Sequence, residues 1–150
     1  MNSARAEKLF QYDYWANALI INSIKENIDR LTPEPVQILS HITGARQVWY
    51  NRIFGIASGN ALMQKTSIQE LEHSNDTLTT LWIDLIHKQD PASMMIEYKN
   101  FEGQVFTTLL SDIITHVVNH GSYHRGQISR LIRESDGIPP ATDYIVFVRQ

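Results

Sequence analysis

Apolar residues recur every three or four positions along the N-terminal half of the chain, the spacing that places them on one face of an α-helix. A first helix is predicted from roughly Ser3 to Ile28, because no Gly or Pro interrupts its apolar residues. A second helix is predicted from about Glu34 to Ala57, before the turn residues Ser58-Gly59-Asn60. The predicted apolar stripe of the second helix is Ile38, Ile42, Ala45, Trp49, Ile53 and Ile56.

Residues that favour helix starts indicate where the second and third helices begin. In Thr32-Pro33-Glu34 the threonine can cap, the proline suits the first helical position and the glutamate is favourable in the first turn. Ser67 and Glu70 have the spacing of a capping box, which predicts a third helix up to about His87. Asp90-Pro91 ends that helix, because the residue before a proline disfavours helical backbone.

The C-terminal half combines a predicted β-hairpin with one more long helix. Met94–Tyr98 and Gln104–Thr108 are β-compatible runs on either side of a turn. The fourth helix is predicted from about Leu110 to Glu134, and Pro139-Pro140 prevents its continuation. We expect residues 142–148 to pack on the helices as a short helix or an extended segment. These elements predict an all-α fold, a four-helix bundle with a small β-hairpin before the last long helix.

The composition is that of an ordinary globular protein. The 150 residues suit a single domain over residues 1–150, and 43% of them are hydrophobic and 19% charged. The net charge is −3, without a cluster of Lys and Arg. DNA or RNA binding is therefore not expected, since it needs a basic surface that replaces phosphate counterions. The absence of Cys excludes a disulfide framework, a cysteine-type zinc finger and a cysteine nucleophile.

The sequence has no pattern typical of export or of membrane insertion. The N-terminal segment contains no apolar run of the signal-peptide type. No stretch reaches the ~20 apolar residues that span a bilayer. We therefore expect a cytoplasmic protein that does not enter the membrane.

Three of the six histidines, His116, His120 and His124, follow one another at intervals of four residues. Four residues advance a helix by about 400° and ~6 Å, so neighbouring imidazoles can converge on one ion. With Ile113 set at 0°, His124 and His120 lie at about +20° and −20°, on the apolar face. His116 lies at about −60°, toward the margin of that face. The pair His120 and His124 is therefore predicted to face the bundle interior.

Two other residues of the fourth helix lie near this pair. Gly121 falls at about +80°, on the inward face, where the absence of a side chain lets another helix approach closely. Gln127 falls at about −40°, where it can form a hydrogen bond with a ligating histidine and orient it.

His41 lies beside Ile42 and Ala45 on the apolar side of the second helix, which makes it a third inward histidine. One histidine on an apolar face is more often a hydrogen-bonded core residue, and an inward pair alone leaves both interpretations open. An unpaired buried imidazole is unfavourable, so a shared metal explains three inward histidines together. His73 and His87 have no such neighbours and are predicted to lie on the surface.

Three protein ligands leave one position of a metal open, which is typical of catalytic sites, whereas structural zinc sites usually have four protein ligands. Zinc proteases with a His-Glu-x-x-His motif carry the general base directly after the first histidine. Here Val117 follows His116 and Gly121 follows His120, so this protease activity is not expected. Imidazole suits zinc, nickel, copper and iron alike, and of these we expect zinc or nickel as the cofactor.

Several motifs resemble those of the DinB family. Residues 119–127 (NHGSYHRGQ), read with the preceding HVV of 116–118, resemble the signature helix of that family. Residues 39–42 (LSHI), followed by Trp49 and by Arg52-Ile53, resemble its second helix, and 12–17 (YDYWAN) its first. Residues 137–144 (GIPPATDY) resemble its usual ending. The resemblance covers essentially the whole chain, and the His-Arg-Gly-Gln motif is its most specific part.

The resemblance implies a four-helix bundle of unusual connectivity, often dimeric, with one metal-ligating histidine on the second helix and two on the fourth. Those positions are His41, His120 and His124 here, the same three that the helical phase favours. One departure is Arg46, five residues after His41, where family members often have an acidic residue. This departure puts any acid/base role at that place in doubt. We expect a homodimer, for which the aromatic-rich first helix offers a contact surface.

Two functional hypotheses follow. The first is a metal-dependent enzyme acting on a small molecule, because some relatives transfer low-molecular-weight thiols to electrophiles or isomerise with a thiol cofactor. Any thiolate would come from a co-substrate here, and metal-assisted hydrolysis is the nearest competing reaction. The second is a non-catalytic, stress-related protein whose metal ties the second and fourth helices together. No catalytic residue is assigned; Tyr12, Tyr123 and Gln127 are candidate auxiliary groups for which a structural role is the simpler interpretation.

Overall fold

The computed structural model of the chain describes residues 1–57 and 66–150. Its elements, in chain order, are α1 (Ser3–Glu26), α2 (Glu34–Ile53), α3 (Ile68–Lys88), β1 (Met95–Lys99), β2 (Val105–Leu109), α4 (Leu110–Glu134) and α5 (Tyr144–Phe147). This order confirms the predicted all-α class with a small β-hairpin before the last long helix. Within the described ranges, no helix combines the length and the apolar content needed to cross a bilayer.

The four long helices pack so that α1 and α2 each contact both α3 and α4. Among the described residues, three groups of buried apolar side chains form the core, and two of them are large. One large group includes Phe10 and Trp82, whose rings stack with their centroids 4.7 Å apart. The other large group includes Ile20, Ile42 and Ile128. Along α1, α2 and α4, buried polar residues separate the two large groups, and the histidines lie at this same level of the bundle.

The end of α2 differs from the prediction. The helix ends at Ile53, four residues before Ala57. The chain turns at Gly55, whose φ of 64° lies in the left-handed region that glycine adopts easily after a helix. Ile56 lies beyond this turn and is 54% exposed, so its predicted place in the apolar stripe is wrong. The predicted turn Ser58-Gly59-Asn60 lies outside the described residues.

The two predicted helix starts have different outcomes. At α2, Pro33 occupies the N-cap position without a side-chain hydrogen bond, so the predicted cap by Thr32 is wrong. The restricted φ angles of Pro33 and Pro35 suit a first helical turn without that cap. At α3, the backbone N–H of Glu70 donates to Ser67 Oγ at 3.3 Å, and the backbone N–H of Ser67 donates to Glu70 Oε2 at 2.8 Å. The predicted capping box is therefore confirmed.

The hairpin and the remaining helix ends agree closely with the prediction. β1 and β2 each lie one residue later than predicted and pair antiparallel, with Tyr98 opposite Phe106. The predicted bounds of α4 are confirmed. α1 ends at Glu26, two residues before the predicted end at Ile28.

The C-terminal segment forms a short helix that covers the aromatic residues of α1. The ring of Tyr144 packs edge-on against Tyr12, with the centroids 5.2 Å apart, and Phe147 lies 5.6 Å from Trp15. These contacts place α5 on the outer side of α1. The homodimer stays a prediction; on α1, Tyr12 and Trp15 pack against α5, whereas Tyr14 is 39% exposed.

Candidate metal centre

The structure brings His41 of α2 together with His120 and His124 of α4. The Nε2 atom of His120 lies 3.2 Å from Nε2 of His41 and 3.2 Å from Nε2 of His124. One ring nitrogen from each of the three lies within 4.8 Å of the others, and all three side chains are half-buried. Because α2 packs directly on α4, His41 faces the two histidines that are four residues apart.

The spacing of these nitrogen atoms fits ligands around one ion. Zinc–imidazole bonds are ~2.0–2.1 Å long, so two ligand nitrogens on a tetrahedral ion lie ~3.3–3.4 Å apart. The observed separations of 3.2 Å are close to that value. The ring planes meet at 51° to 79°, so the rings converge at their edges and do not stack. The three imidazoles can therefore hold a divalent ion of the kind that nitrogen ligands suit.

Burial keeps two of these imidazoles neutral. The pKa of His120 is lowered to about 4, mainly by burial and then by the neighbouring histidines, with Asp13 opposing the shift. Burial also lowers the pKa of His41, and the nearby His124 adds to this effect. Because only neutral imidazole coordinates a metal, the lowered pKa values keep His41 and His120 available as ligands at neutral pH.

Gln127 orients His124. Nδ1 of His124 lies 2.8 Å from Oε1 of Gln127, three residues further along α4. An amide oxygen can only accept, so Nδ1 carries the proton and Nε2 is left with its lone pair free. That lone pair belongs to the nitrogen that faces His120. The hydrogen bond therefore selects the tautomer that a metal needs, in agreement with the predicted supporting role of Gln127.

His116 lies outside this group of nitrogens. Its side chain is exposed, and its ring lies 5.8 Å from that of His120 and 5.3 Å from that of Trp49. This position agrees with its predicted place at the margin of the apolar face. An open depression beside it is lined by Asp112, Thr115, His116, Asn119, His120 and Tyr123. The histidine cluster is therefore open to solvent on the side of His120.

The other residues considered from the sequence lie in different surroundings. Tyr123 is exposed, and its ring lies 5.0 Å from that of His124. Tyr12 is buried, and its hydroxyl donates to a backbone carbonyl near the C-terminus at 2.9 Å. Tyr12 therefore packs beneath the C-terminal segment and not in the histidine cluster. His73 and His87 are exposed, as predicted.

A buried ionic network lies next to the histidines and was not predicted from the sequence. Asp13, Arg46 and Arg125 are 0%, 1% and 0% exposed. Oδ1 of Asp13 lies 2.6 Å from Nη1 of Arg125, and Oδ2 of Asp13 lies 3.5 Å from Nε of Arg46. Two guanidinium groups thus share one carboxylate, and this part of the interior carries an excess of positive charge.

Uncharged side chains accept hydrogen bonds from the same arginines. Arg46 donates to Asn75 Oδ1 at 2.7 Å and to Thr79 Oγ1 at 2.6 Å, both on α3. Arg125 donates to Asn17 Oδ1 at 2.8 Å, on α1. The network therefore links all four long helices directly behind the histidine cluster. Among the described residues of the network, the Nε atoms of the two arginines form no hydrogen bond, although that of Arg46 lies within ion-pair distance of Asp13.

Gly121 makes room for this network. A Cβ atom at Gly121 would lie 2.7 Å from Oδ1 of Asp13 and 2.9 Å from Nη1 of Arg125. Helical phase predicted an inward glycine that permits close approach, and the structure shows that the closest groups are these two charged side chains. A methyl group here would push against the ion pair, one residue from His120.

The DinB family profile matches residues 3–150. The chain belongs to the DinB family. It is similar to Protein DinB of Bacillus subtilis (strain 168), with 28% identity over 160 aligned residues that cover 95% of this chain and 93% of the relative. The resemblance that the histidine motifs indicated is therefore confirmed over the whole chain.

Arg46 stands where the resemblance led us to expect an acidic residue, and its side chain is buried. Burial lowers the pKa of Arg46, Asp13 opposes that shift and Arg125 adds to it. The side chain is directed to Asp13, Asn75 and Thr79 and makes no contact with the histidine nitrogens. Arg46 is therefore part of the buried interior.

Proposed function

We propose that this protein binds one divalent metal ion through Nε2 of His41, His120 and His124, and that the ion is catalytic. The observation that supports this most strongly is the pair of 3.2 Å separations between these nitrogens across α2 and α4. Membership of the DinB family and the hydrogen bond from His124 to Gln127 support the same set of ligands. Zinc or nickel suits these three imidazoles.

The reaction that we propose is a transfer to or from a small molecule, with a low-molecular-weight thiol as co-substrate. A metal ion at such a site lowers the pKa of a coordinated thiol or water, which makes either a nucleophile at neutral pH. The thiol would come from a second molecule, because the chain contains no Cys. The depression beside His120 supports access by a small molecule. Metal-assisted hydrolysis uses the same open position and is the alternative reaction.

A non-catalytic role for the metal is the second proposal. One ligand on α2 and two on α4 would make an ion a cross-link between these helices. In that case removal of the metal lowers the stability of the fold, and no small ligand changes the surroundings of the ion.

Metal analysis tests the site itself. Protein purified without chelator or nickel resin should carry close to one divalent ion per chain, and His41→Ala should lose most of it. His73→Ala is the matched control, because His73 is an exposed histidine away from the cluster. Absence of metal in the purified protein, together with no uptake of added zinc or nickel, would contradict the proposal.

Cobalt substitution separates the catalytic from the structural role. Adding 2-mercaptoethanol to the cobalt-loaded protein should produce thiolate-to-cobalt absorption if one position is open to ligands. A spectrum that does not change, combined with a large loss of stability on chelation, would favour the structural role. Thiol-dependent transfer and thiol-independent hydrolysis are then distinguished by activity assays with and without the thiol.

A further inference from the structure

Arg52, on the last turn of α2, is surrounded by aromatic rings. Its guanidinium carbon lies 4.7 Å from the centroid of Trp49, 5.5 Å from that of Tyr98 and 4.7 Å from that of Phe101. Trp49 comes from the same helix, whereas Tyr98 and Phe101 come from the hairpin, which lies over α2. The three rings hold the half-buried side chain in one place.

No carboxylate of the described residues lies within ion-pair distance of Arg52. The buried arginines Arg46 and Arg125 share Asp13, and the exposed Arg130 pairs with Glu134. Arg52 thus differs from these arginines, because among the described residues only rings contact its charge. Rings cover the faces of a guanidinium, whereas its five N–H donors point outward in its plane. Those donors are available to a planar anion.

A continuous row of rings connects Arg52 to the histidine cluster. The ring of His120 lies 5.8 Å from that of His116, and His116 lies 5.3 Å from Trp49, over which Arg52 stacks. His41 and Arg52 are on the same helix, eleven residues apart, which is ~16 Å along the axis. An extended small molecule that lies along this row can therefore contact both Arg52 and the histidine cluster.

We propose that Arg52, together with Trp49 and the hairpin rings, is a subsite that binds a carboxylate group of the ligand whose other end reaches the metal position. The reach to the metal position rests on the function proposed above, whereas the binding of a carboxylate by Arg52 does not. A carboxylate fits because it is planar and matches the fork of a guanidinium with two parallel hydrogen bonds. The stacked rings also reduce the side-chain entropy that Arg52 loses when it binds.

Thiol peptides of different length test the subsite. The probes are N-acetyl-Cys-(Gly)n with a free C-terminal carboxylate and the same peptides with a C-terminal amide. The Cys and three glycines together give a reach of ~13 Å, since an extended chain spans ~3.3 Å per residue. On the cobalt-loaded protein, the long carboxylate should bind at least roughly tenfold more tightly than its amide, the range for a hydrogen bond to a charged group. A single glycine is too short and should show no such preference.

Arg52→Gln should abolish the preference for the carboxylate and leave the affinity for the amide within about twofold. Arg52→Lys should retain part of it, because Lys keeps the charge but lacks the bidentate fork. Arg133→Gln is the matched control, since Arg133 is an exposed arginine of the last turn of α4. A carboxylate preference that survives in Arg52→Gln, or that the wild-type protein lacks, would overturn the subsite.

A second measurement tests the subsite without the metal. In the metal-free protein, N-acetyl-glycylglycinate should shift the NMR signals of the Arg52 side-chain N–H and the Trp49 indole N–H, and the corresponding amide should not. Signals that do not move contradict the subsite. If they move but no thiol peptide changes the cobalt spectrum, the carboxylate subsite stands and the proposed function is the part that fails.

Discussion

Two polar clusters meet at neighbouring residues of α4, and they differ in how their polar atoms are satisfied. Arg125 belongs to the ionic network with Asp13 and Arg46, whose side chains are buried and paired inside the bundle. His124 belongs to the histidine cluster, whose side chains are half-buried and whose Nε2 atoms face one another.

The difference indicates which cluster serves the fold and which serves a ligand. Buried charges are tolerated when they are paired and hydrogen-bonded, and the network meets this requirement almost completely. The histidine nitrogens 3.2 Å apart face one another without a charged partner, and they are the group that could hold a metal ion. We therefore expect substitutions in the network to change stability and those in the histidine cluster to change metal binding.

The largest effect is expected from Asp13→Asn. This change removes the only carboxylate between two buried guanidinium groups and leaves their charges unbalanced. Removing one partner of a buried ion pair lowers the free energy of unfolding by ~3–5 kcal/mol. Urea denaturation measures this loss of stability. The control is Asp136→Asn at an exposed turn, whose free energy of unfolding should stay within ~0.5 kcal/mol of that of the wild type. A loss below ~1 kcal/mol for Asp13→Asn would show that the network does not hold the fold.

The next effect concerns the ligands themselves. His41→Ala, His120→Ala and His124→Ala should each weaken metal binding by more than ~100-fold, because each removes one of three ligands. His116→Ala should have a smaller effect, since its ring lies outside the group of converging nitrogens. Competition with a chelator measures the affinities. The contrary outcome is a loss of more than ~100-fold for His116→Ala together with normal metal binding by His124→Ala. The site would then have to be rebuilt around His116 and His120.

Gln127→Ala should weaken metal binding by ~10–100-fold without unfolding the protein. The hydrogen bond at 2.8 Å no longer selects the tautomer of His124 with a free Nε2. Gln127→Glu, which can still accept from Nδ1, should recover most of the affinity. Equal losses in both variants would mean that Gln127 acts by packing and not by orienting His124.

Substitution of two glycines of α4 compares the tightly packed ionic network with the exposed surface of the same helix. Gly121→Ala should lower the free energy of unfolding by ~1–3 kcal/mol, since the new methyl group meets Asp13 and Arg125 below 3.0 Å. Gly126→Ala meets no atom within 4 Å and should raise stability by ~0.5–1 kcal/mol through helix propensity. Thermal unfolding of the two variants provides the comparison, and shifts of the same sign would contradict it.

The last expected effect is the pH dependence of the metal-free protein. The pKa of His120 is lowered to about 4 in the folded chain and is ~6.5 in an unfolded one. As the pH falls from ~6.5 toward 4, the unfolded state therefore binds a proton that the folded state does not, and the free energy of unfolding decreases. Urea midpoints at pH 7 and pH 5 should show this loss, and His120→Ala should reduce it. An equal loss in His120→Ala would assign the pH dependence to other groups.

Local patterns in the sequence were sufficient for most of the fold. Helical periodicity predicted α1 to α4, and the Ser67–Glu70 spacing predicted the start of α3, because such signals depend on residues within one or two turns. The intervals of four residues and the helical phase were likewise sufficient to select His120 and His124. His41 lies on a second helix; its place on the apolar side of that helix predicted an inward side chain, and the motifs of the DinB family pointed to the same three histidines.

Only the tertiary structure decided how distant residues meet. Asp13 lies on the apolar face of α1 between Phe10 and Ile20, which was a visible signal of a buried charge, but its partners come from α2 and α4. The rings around Arg52 likewise come from α2 and from a hairpin more than forty residues away.

The sequence by itself therefore determined which helices form and which histidines face inward, since both follow from the geometry of a single helix. The packing of the four long helices determined that the ionic network of Asp13, Arg46 and Arg125 is buried and paired, whereas the histidine cluster is only half-buried. Burial, charge pairing and access to solvent depend on contacts between elements, and no periodicity along one helix encodes them.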